Sequence, residues 1–275
     1  MSTPTSLPIS VLILTLNEEA NLPGCLHSVA QCDDVVVLDS GSSDRTVEIA
    51  RAAGARVYTR AFTNFADQRN YAHASIPFRH PWVFHLDADE LMTPELAAEC
   101  AALPDRNRPH GYYSAPHMML NGRWMKRCTD FPAWQARCVH AKEFRFIQVG
   151  HGQREAPDMQ MGYLKHSYEH DISISVAEWE SKHLRYARDE ARRYISERRP
   201  LRQTLRLLIS VDKLERRRAL KQLSYFLPLR PALRFVYQYF LRLGFVDGPG
   251  AMRYCLLLAR YESFTSDEIK RQSTS

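Results

Sequence analysis

Short apolar runs alternate with helical patterns through the first third of the chain. The runs are rich in β-branched residues, which is typical of buried strands in a parallel sheet. They predict strands at Ile9–Leu16, Val35–Leu38, Ala55–Thr59 and Trp82–Phe84. Helical patterns separate them, after Glu19 to about Ala30, at Asp44–Ala53 and at Phe65–Ser75. This alternation predicts an α/β fold whose sheet is mainly parallel, with right-handed crossovers.

The pattern changes in the second half of the chain. A helix is predicted at Pro94–Leu103, and strands at Gly111–Met119, Met125–Cys128 and Trp134–Val139. Asn121-Gly122 is a hairpin turn signal. From Glu178 onward every predicted element is a helix, up to Phe264. The chain is therefore predicted to have a first domain at 1–175 and a helical extension at 176–275.

Polar residues follow three of the four predicted strands. Asn17-Glu18-Glu19 follows the first, Asp39 ends the second, and Asp87-Ala88-Asp89-Glu90 ends the fourth. Carboxyl ends of parallel strands meet at one edge of a sheet, where ligands bind. Asp87 and Asp89 could share a hard cation such as Mg²⁺, which takes oxygen ligands and substrate phosphates. Helix capping is the alternative, and it can account for Ser42, Ser43 and Asn17 but not for Asp39.

Other site classes find little support in the sequence. There is neither a G-x-G-x-x-G nor a G-x-x-x-x-G-K-[ST] motif, which argues against a dinucleotide site or a P-loop. Six cysteines occur without C-x-x-C or Cys/His zinc spacing, as expected in a reducing cytosol. Residues 1–8 lack a basic start and an apolar core, and no run approaches the ~18 apolar residues of a membrane span. We therefore expect a soluble or peripheral protein.

The net charge of +6 is concentrated in the helical extension. Between Arg192 and Arg260 there are 16 Lys and Arg but only four acidic residues. Such asymmetry indicates an anionic partner, either a membrane surface or a nucleic acid.

Four motifs occur in a characteristic order: Thr15-Leu16-Asn17-Glu18-Glu19, Asp39-Ser40-Gly41-Ser42-Ser43-Asp44-Arg45-Thr46, Gln68-Arg69-Asn70 and Asp87-Ala88-Asp89-Glu90. Together they resemble the family 2 glycosyltransferases, which have a GT-A fold. Within that family the chain is similar to the lipopolysaccharide core β-1,4-glucosyltransferase-like proteins of Gram-negative bacteria. The resemblance is specific over about Ile9–Glu90 and looser beyond. It implies that the first domain is a GT-A catalytic domain.

The resemblance also assigns roles to residues. Asp39 would hold the uracil or ribose of a UDP-sugar, in a pocket lined by Leu16 and Glu18. Arg69 would approach the diphosphate or position the acidic loop. Asp89 would ligate Mn²⁺ or Mg²⁺, with Asp87 nearer the ribose and sugar. The metal would neutralise charge on the departing UDP.

A general base and a further metal ligand are expected after the last of these motifs. The resemblance makes Glu155 the preferred base, with His151 nearby and Asp158 as the alternative. His166 and His170 are spaced four apart, as on one helix face, and the resemblance makes one of them, preferably His166, a metal or diphosphate contact. The alternative is two surface histidines beside Glu169 and Asp171. The Trp134-x-x-Arg137 segment either lies below the acceptor site or is a core strand with one solvated Arg137.

The resemblance and the basic extension together give a functional hypothesis. The chain would be an inverting transferase that moves a hexose, in first place glucose, from a UDP-sugar to a lipid-linked glycan such as the lipopolysaccharide core. Its aromatic, leucine-rich and basic helices suit an anionic membrane surface, so we expect a cytoplasmic protein, peripheral on the inner face of the bacterial inner membrane. The same faces could instead pack on the catalytic domain or on a second copy. No RNA-binding signature is present, and nucleic acid is not expected as a partner. The alternative hypothesis is a non-catalytic scaffold with a glycosyltransferase-like fold that binds a membrane or nucleic acid through its basic tail.

Overall fold

The structure, a computed structural model, describes residues 6–149, 152–172, 175–227 and 229–273; at 213 and 214 it describes the backbone only. The chain divides into two units. The first consists of Met1–Met119 and Phe131–Asp171, and the second of Leu120–Asp130 and Ile172–Ser275. His151, expected near the base, lies outside the described residues.

The elements up to Asp171 alternate as predicted for the first part and become strand-rich afterwards. In chain order they are β1 (Leu7–Thr15), α1 (Leu22–Ser28), β2 (Cys32–Asp39), α2 (Thr46–Ala52), β3 (Arg56–Thr59), α3 (Phe65–Ser75), β4 (Trp82–Asp87), β5 (Glu90–Leu91), α4 (Pro94–Ala101), β6 (Gly111–Ser114), β7 (Pro116–Leu120), β8 (Arg123–Trp124), β9 (Gln135–His140), β10 (Phe146–Val149), β11 (Gly152–Glu155), β12 (Met161–Tyr163) and β13 (Tyr168–Asp171).

A seven-stranded sheet organises the first unit, in the order β12-β6-β9-β4-β1-β2-β3. The pairs β4-β1, β1-β2, β2-β3 and β12-β6 are parallel, whereas β9 runs antiparallel to β4 and β6. Neighbouring residues of β1 such as Val11 and Leu12 are both fully buried, because apolar clusters cover both faces of the sheet. The predicted fold class, a mixed and mainly parallel α/β sheet, is confirmed.

Three local predictions were wrong. The strand predicted at Met125–Cys128 is not formed, because the chain turns directly after β8. Ser42 and Ser43 do not cap α2: the first turn of that helix instead has Asp44 Oδ1 accepting a 3.0 Å hydrogen bond from the Thr46 amide. The single strand predicted at Gly111–Met119 is divided at Ala115. Its first half, β6, belongs to the seven-stranded sheet, while β7 pairs in parallel with β13. Strand partners distant in sequence decide this division.

The second unit is mainly helical. Its helices are α5 (Val176–Glu197), α6 (Leu201–Leu207), α7 (Lys213–Ser224), α8 (Arg230–Val236), a π-helical turn (Tyr237–Leu241), a 3₁₀ turn (Gly244–Asp247) and α9 (Pro249–Ser273). A small apolar core joins segment 120–130 to α9 through Met125, Cys128, Ala251 and Cys255. Buried Asp247 reinforces this core by accepting hydrogen bonds from the Arg127 and Cys128 amides. Among the described helices, none combines the length and apolar character that crossing a bilayer requires.

Candidate active site at the carboxyl edge of the sheet

Three central strands end side by side at one edge of the sheet. Thr15, the last residue of β1, is in register with Asp39, the last residue of β2. On the other side of β1, Leu14 is in register with Asp87, the last residue of β4. The polar residues that follow these strands in sequence therefore meet in space, as the predicted parallel order requires.

Asp39 is buried and all of its hydrogen bonds are to neutral groups. Its Oδ1 accepts from the hydroxyls of Thr15 (2.9 Å) and Ser42 (2.5 Å), and its Oδ2 from the amides of Gly41 (2.9 Å) and Ser42 (2.8 Å). Burial disfavours the charged carboxylate, but these hydrogen bonds outweigh it and lower the pKa of Asp39. Asp39 thus fixes the loop after β2.

That loop is bonded to the one that follows β1. The Asn17 amide donates to Ser42 Oγ at 2.8 Å, and the Glu18 amide donates to Thr46 Oγ1 at 2.8 Å. Asn17 has a left-handed φ of 56°. Its side-chain oxygen accepts a hydrogen bond from the Ser43 amide, which is a further link between the two loops. Leu16 is left 51% exposed beside these loops. An exposed apolar side chain in a rigid polar frame could pack against the face of a planar ring.

Asp87 lies between two buried arginines. Arg69 Nη2 donates to Asp87 Oδ1 at 2.8 Å, and Arg137 lies 3.4 Å from Oδ2. Burial alone would raise the pKa of Asp87, but Arg137 and Arg69 outweigh it and lower that pKa. Arg69 is only 2% exposed, and its Nε and Nη1 have no hydrogen-bond partner among the described residues. Unpaired buried donors are costly, and Arg69 is among the residues that line a cavity beside Asp87.

Arg137 also binds Glu90, which is 2% exposed, at 2.7 Å. Burial raises the pKa of Glu90 despite this partner. Arg137 Nε donates to the Tyr168 hydroxyl at 3.1 Å, and the guanidinium lies over the Tyr168 ring. The alternative of a solvated Arg137 was therefore wrong. Its side chain is 4% exposed and contacts Asp87 and Glu90 of the acidic loop.

Asp89 has a different neighbourhood from Asp87. Its side chain is 36% exposed, and His170 Nε2 lies 3.9 Å from its Oδ2. The carboxylate of Glu90 and that of Asp89 raise the pKa of His170, although burial opposes them. One carboxylate beside one imidazole suits a divalent cation that completes its shell with phosphates and water. No group of three or more potential metal-ligating side chains occurs in the part of the chain that the structure describes.

His166 lies in another environment. Its Nδ1 is 2.9 Å from Glu99 Oε2, and its amide donates to the same carboxylate. The i, i+4 helix expected for His166 and His170 was wrong, because β13 pairs with β7 and β5 and draws the segment into a sheet. Of the two histidines, the geometry favours His170 as the partner of Asp89.

A cavity of about 580 Å³ opens beside Asp87. Glu155, at the end of β11, lines it and accepts a 2.6 Å hydrogen bond from the Tyr113 hydroxyl. Asp158, the alternative base, does not line the cavity and is paired with Arg145. Five aromatic side chains form much of the wall: Phe65, Tyr113, Trp134, Phe146 and Tyr163. Carboxylates between aromatic faces are suited to a sugar, whose hydroxyls hydrogen-bond while its C–H faces pack on rings.

Sequence reasoning missed several residues of this site. Tyr113 lies on a different strand from Glu155, so no local motif links the two. Tyr168 became relevant only through Arg137, and so did the burial of Glu90, which the sequence had placed in the acidic motif. One signal was available, since an arginine within the otherwise apolar run Ala136–Val139 needs buried anionic partners.

Comparison with known proteins identifies similar sequences. Residues 10–145 match the model of glycosyl transferase family 2. The lipopolysaccharide core biosynthesis glycosyltransferase LpsC of Rhizobium meliloti is 36% identical over 107 residues, which cover 36% of this chain and 39% of LpsC. An uncharacterized glycosyltransferase of Rickettsia typhi is 37% identical over 92 residues, covering 33% of this chain and 31% of that protein. The matched segments thus span only about a third of these relatives.

The solved structures found by comparison share less sequence with this chain. Staphylococcus aureus TarS 1–349 in complex with UDP-GlcNAc has a TM-score of 0.46 and 16% identity, over 93% of this chain and 92% of TarS. Glucosyl-3-phosphoglycerate synthase of Mycobacterium tuberculosis, in complex with Mn²⁺, UDP-glucose and phosphoglyceric acid, has a TM-score of 0.33 and 24% identity. That second likeness covers 42% of this chain and 44% of the synthase.

Proposed function

Since the chain carries a family 2 glycosyltransferase domain at residues 10–145, we propose that it transfers a hexose from a UDP-sugar to a lipid-linked glycan. Glucose is the first candidate for the hexose, and the transfer inverts the configuration at the anomeric carbon. One observation carries the proposal. A rigid polar loop frame at Asp39, an acid–imidazole pair at Asp89 and an aromatic cavity containing Glu155 and Asp87 all belong to the first unit. Nucleoside, diphosphate and sugar each find suitable chemistry there.

The nucleoside is assigned to the loops after β1 and β2. Leu16 would pack on the uracil, and Glu18 and the loop held by Asp39 would contact uracil or ribose. In the structure the Asp39 oxygens are already bonded within the loop, so we assign Asp39 chiefly to shaping this pocket.

The diphosphate is assigned to the space next to Asp89. Asp89 and His170 would hold Mn²⁺ or Mg²⁺ there, and the cation would neutralise negative charge on the departing UDP. Arg69 lines the cavity, and two of its donors have no partner among the described residues, so it would bind a phosphate or sugar oxygen. Asp87, held by Arg69 and Arg137, would accept hydrogen bonds from the ribose or the donor sugar. His166, bonded to Glu99, is left without a role in this proposal.

Glu155 is the proposed general base. It would take the proton from an acceptor hydroxyl while that oxygen bonds to the anomeric carbon and the bond from this carbon to the UDP oxygen breaks. A single displacement of this kind inverts the configuration. The hydrogen bond from Tyr113 would keep Glu155 directed into the cavity.

The acceptor is proposed from the name of one relative and from the charge of the second unit. The name of LpsC indicates a lipopolysaccharide core substrate for that protein. A lipid-linked glycan would be met at a membrane, here the inner face of the bacterial inner membrane. The basic second unit is compatible with such a surface, and a second copy of the chain is the other partner to be tested.

Transfer from labelled UDP-hexoses tests the proposal directly. The full chain is incubated with Mn²⁺, each donor, and lipopolysaccharide core acceptors truncated at successive sugars. Label should appear in one acceptor from one donor, and the new linkage should have the inverted configuration. A folded protein that neither transfers nor hydrolyses any nucleotide sugar would support the alternative of a non-catalytic scaffold.

A further inference from the structure

The most exposed large apolar side chains in the described part of the chain lie at the turn between α6 and α7. Val211 is 96% exposed and Ile209 is 86% exposed. Leu201 and Leu205 precede them at intervals of four and are 54% and 48% exposed. Leu201 and Leu205 are spaced to lie on one side of α6, which ends at Leu207, and Ile209 and Val211 continue this apolar stripe in the turn.

Arginines accompany this stripe. Arg202 and Arg206 directly follow Leu201 and Leu205, and Arg217 is exposed on α7. No ion pair is formed by these three arginines within the described residues, whereas Arg218 pairs with Glu215. Together they form what we call the hairpin patch: Leu201, Arg202, Leu205, Arg206, Ile209, Val211 and Arg217.

The turn itself is well ordered by hydrogen bonds. Ser210 Oγ accepts from the Asp212 amide at 3.2 Å, and the Ser210 carbonyl accepts from Arg216 at 3.1 Å. Arg199 and Glu215 form an ion pair between the segment before α6 and α7. Each helix also buries a small residue, Thr204 in α6 and Ala219 in α7. The two helices therefore pack on one another, and the apolar side chains lie on the outside of this hairpin.

We propose that the hairpin patch inserts into the surface of an anionic lipid bilayer. Aliphatic side chains at the end of a hairpin can enter the boundary between headgroups and acyl chains. The neighbouring arginines can keep their stems along the apolar layer while their guanidinium groups reach lipid phosphates. The patch therefore combines both contributions that membrane binding requires.

Other occupants fit the patch less well. A second copy of the chain packed symmetrically would bring the unpaired arginines of both copies together. Nucleic acid would neutralise the arginines, but it would leave the aliphatic stripe uncovered, and the patch has no aromatic side chain for base stacking. The inference adds the surface at which the chain would meet its proposed lipid-linked acceptor. Only its biological meaning rests on the proposed function.

Vesicle co-sedimentation of the full chain, without donor, tests the patch. The wild type should bind vesicles of phosphatidylcholine mixed with phosphatidylglycerol and should bind pure phosphatidylcholine weakly. The double variant Ile209→Ser/Val211→Ser should lower the partition coefficient about tenfold. The triple variant Arg202→Gln/Arg206→Gln/Arg217→Gln should lower it about a hundredfold on anionic vesicles.

Matched controls make the result specific. Leu241→Ser removes a side chain of the second unit that is 73% exposed. Arg51→Gln/Arg106→Gln/Arg185→Gln removes the same charge from exposed arginines elsewhere. Both controls should bind vesicles like the wild type. The proposal is overturned if the controls lose as much vesicle binding as the patch variants. It is also overturned if the wild type does not bind anionic vesicles.

Two further readouts separate the remaining outcomes. The first is binding of an RNA oligonucleotide. If the arginine variant loses RNA binding while the serine variant keeps full vesicle binding, the partner of the patch is nucleic acid and not a bilayer. UDP binding is measured on every variant and should stay at the wild-type level. A variant that loses vesicle binding but still binds UDP therefore tests the patch alone. A wild type that does not bind UDP contradicts the proposed function and leaves the patch untouched.

Discussion

The two ends of the central sheet both carry charged residues, but their states of pairing differ. At the amino end, Asp34 is 1% exposed and accepts from Ser10 Oγ (2.6 Å), the Arg79 amide (2.9 Å) and Arg56 Nη2 (2.7 Å). At the carboxyl end, Asp89 is 36% exposed next to His170, and two buried donors of Arg69 have no partner in the described part of the chain. A cavity opens at the carboxyl end, beside Asp87.

This difference separates charges that stabilise the fold from charges available to a ligand. A buried carboxylate whose oxygens are all bonded to protein groups has little capacity left for a substrate. A buried guanidinium whose donors lack partners destabilises the fold, but beside a cavity it is available to bind a ligand. Mutations at the amino end should therefore affect the free energy of unfolding, and mutations at the carboxyl end should affect transfer.

The largest effect is expected for Asp89→Ala. Removing the proposed metal ligand should lower the transfer rate about a thousandfold, since a metal contributes several kcal/mol to stabilising the leaving group. The thermal midpoint should hardly change, because the side chain is partly exposed. Asp105→Ala, which removes a 69% exposed carboxylate outside the site, serves as the control. Normal transfer by Asp89→Ala would show that Asp89 has no part in catalysis.

Glu155→Gln should have the next largest effect. The amide keeps the shape of the side chain but cannot take a proton, so kcat should fall about a hundredfold. The dissociation constant for UDP should be unchanged, which calorimetry can measure. Asp158→Asn is the matched control and should transfer normally. If the outcomes of the two variants are exchanged, Asp158 is the base.

Asp34→Asn tests the amino end. Losing the charge should destabilise the protein by about 2 kcal/mol at neutral pH, because Arg56 then lacks its anionic partner. Burial opposes ionisation of Asp34, but hydrogen bonds from Arg79 and Ser10 and the pair with Arg56 lower its pKa. The wild-type contribution is therefore present above the unfolded pKa of about 4 and is lost as the pH falls towards the folded value.

Urea unfolding at several pH values measures this loss. The variant should show a flatter fall in stability than the wild type between about pH 5 and pH 2. Its UDP affinity should equal that of the wild type. An altered UDP affinity would remove the distinction between the two ends of the sheet.

Tyr113→Phe should have the smallest effect. It removes the hydroxyl that donates to Glu155 and leaves the ring in the cavity wall. The proposed base would be less well oriented, so kcat should fall about fivefold, as for loss of one hydrogen bond, with little change in UDP affinity. Tyr163→Phe, a hydroxyl removal on another lining aromatic, is the control. Equal losses in both variants would indicate a general role of the aromatic wall.

The sequence was informative wherever a local pattern determines structure. Apolar runs located β1, β2, β3 and β4, and the residues after them marked the edge where Asp39 and Asp87 meet. It failed where partners distant in sequence decide. The spacing of His166 and His170 suits a helix, yet pairing with β7 and β5 makes β13 a strand.

Buried charge networks were the second source of error. Arg137 is held by Glu90 and Asp87, from which it is separated by more than 40 residues, so no spacing rule could predict its burial. The same applies to the hydrogen bond between Tyr113 and Glu155. The roles of Leu16, Glu18, Asp39, Arg69, Asp87, Asp89, Glu155 and His166 remain predictions that substitution and binding measurements will decide.

Calorimetric titration with UDP tests the central claim most directly. The wild type and Asp89→Ala are each titrated with and without Mn²⁺. The proposed site predicts that UDP binds the wild type more tightly when Mn²⁺ is present, and that Asp89→Ala, still folded, loses this dependence. Absence of UDP binding to the folded wild type under either condition would contradict a nucleotide-sugar site at this edge of the sheet.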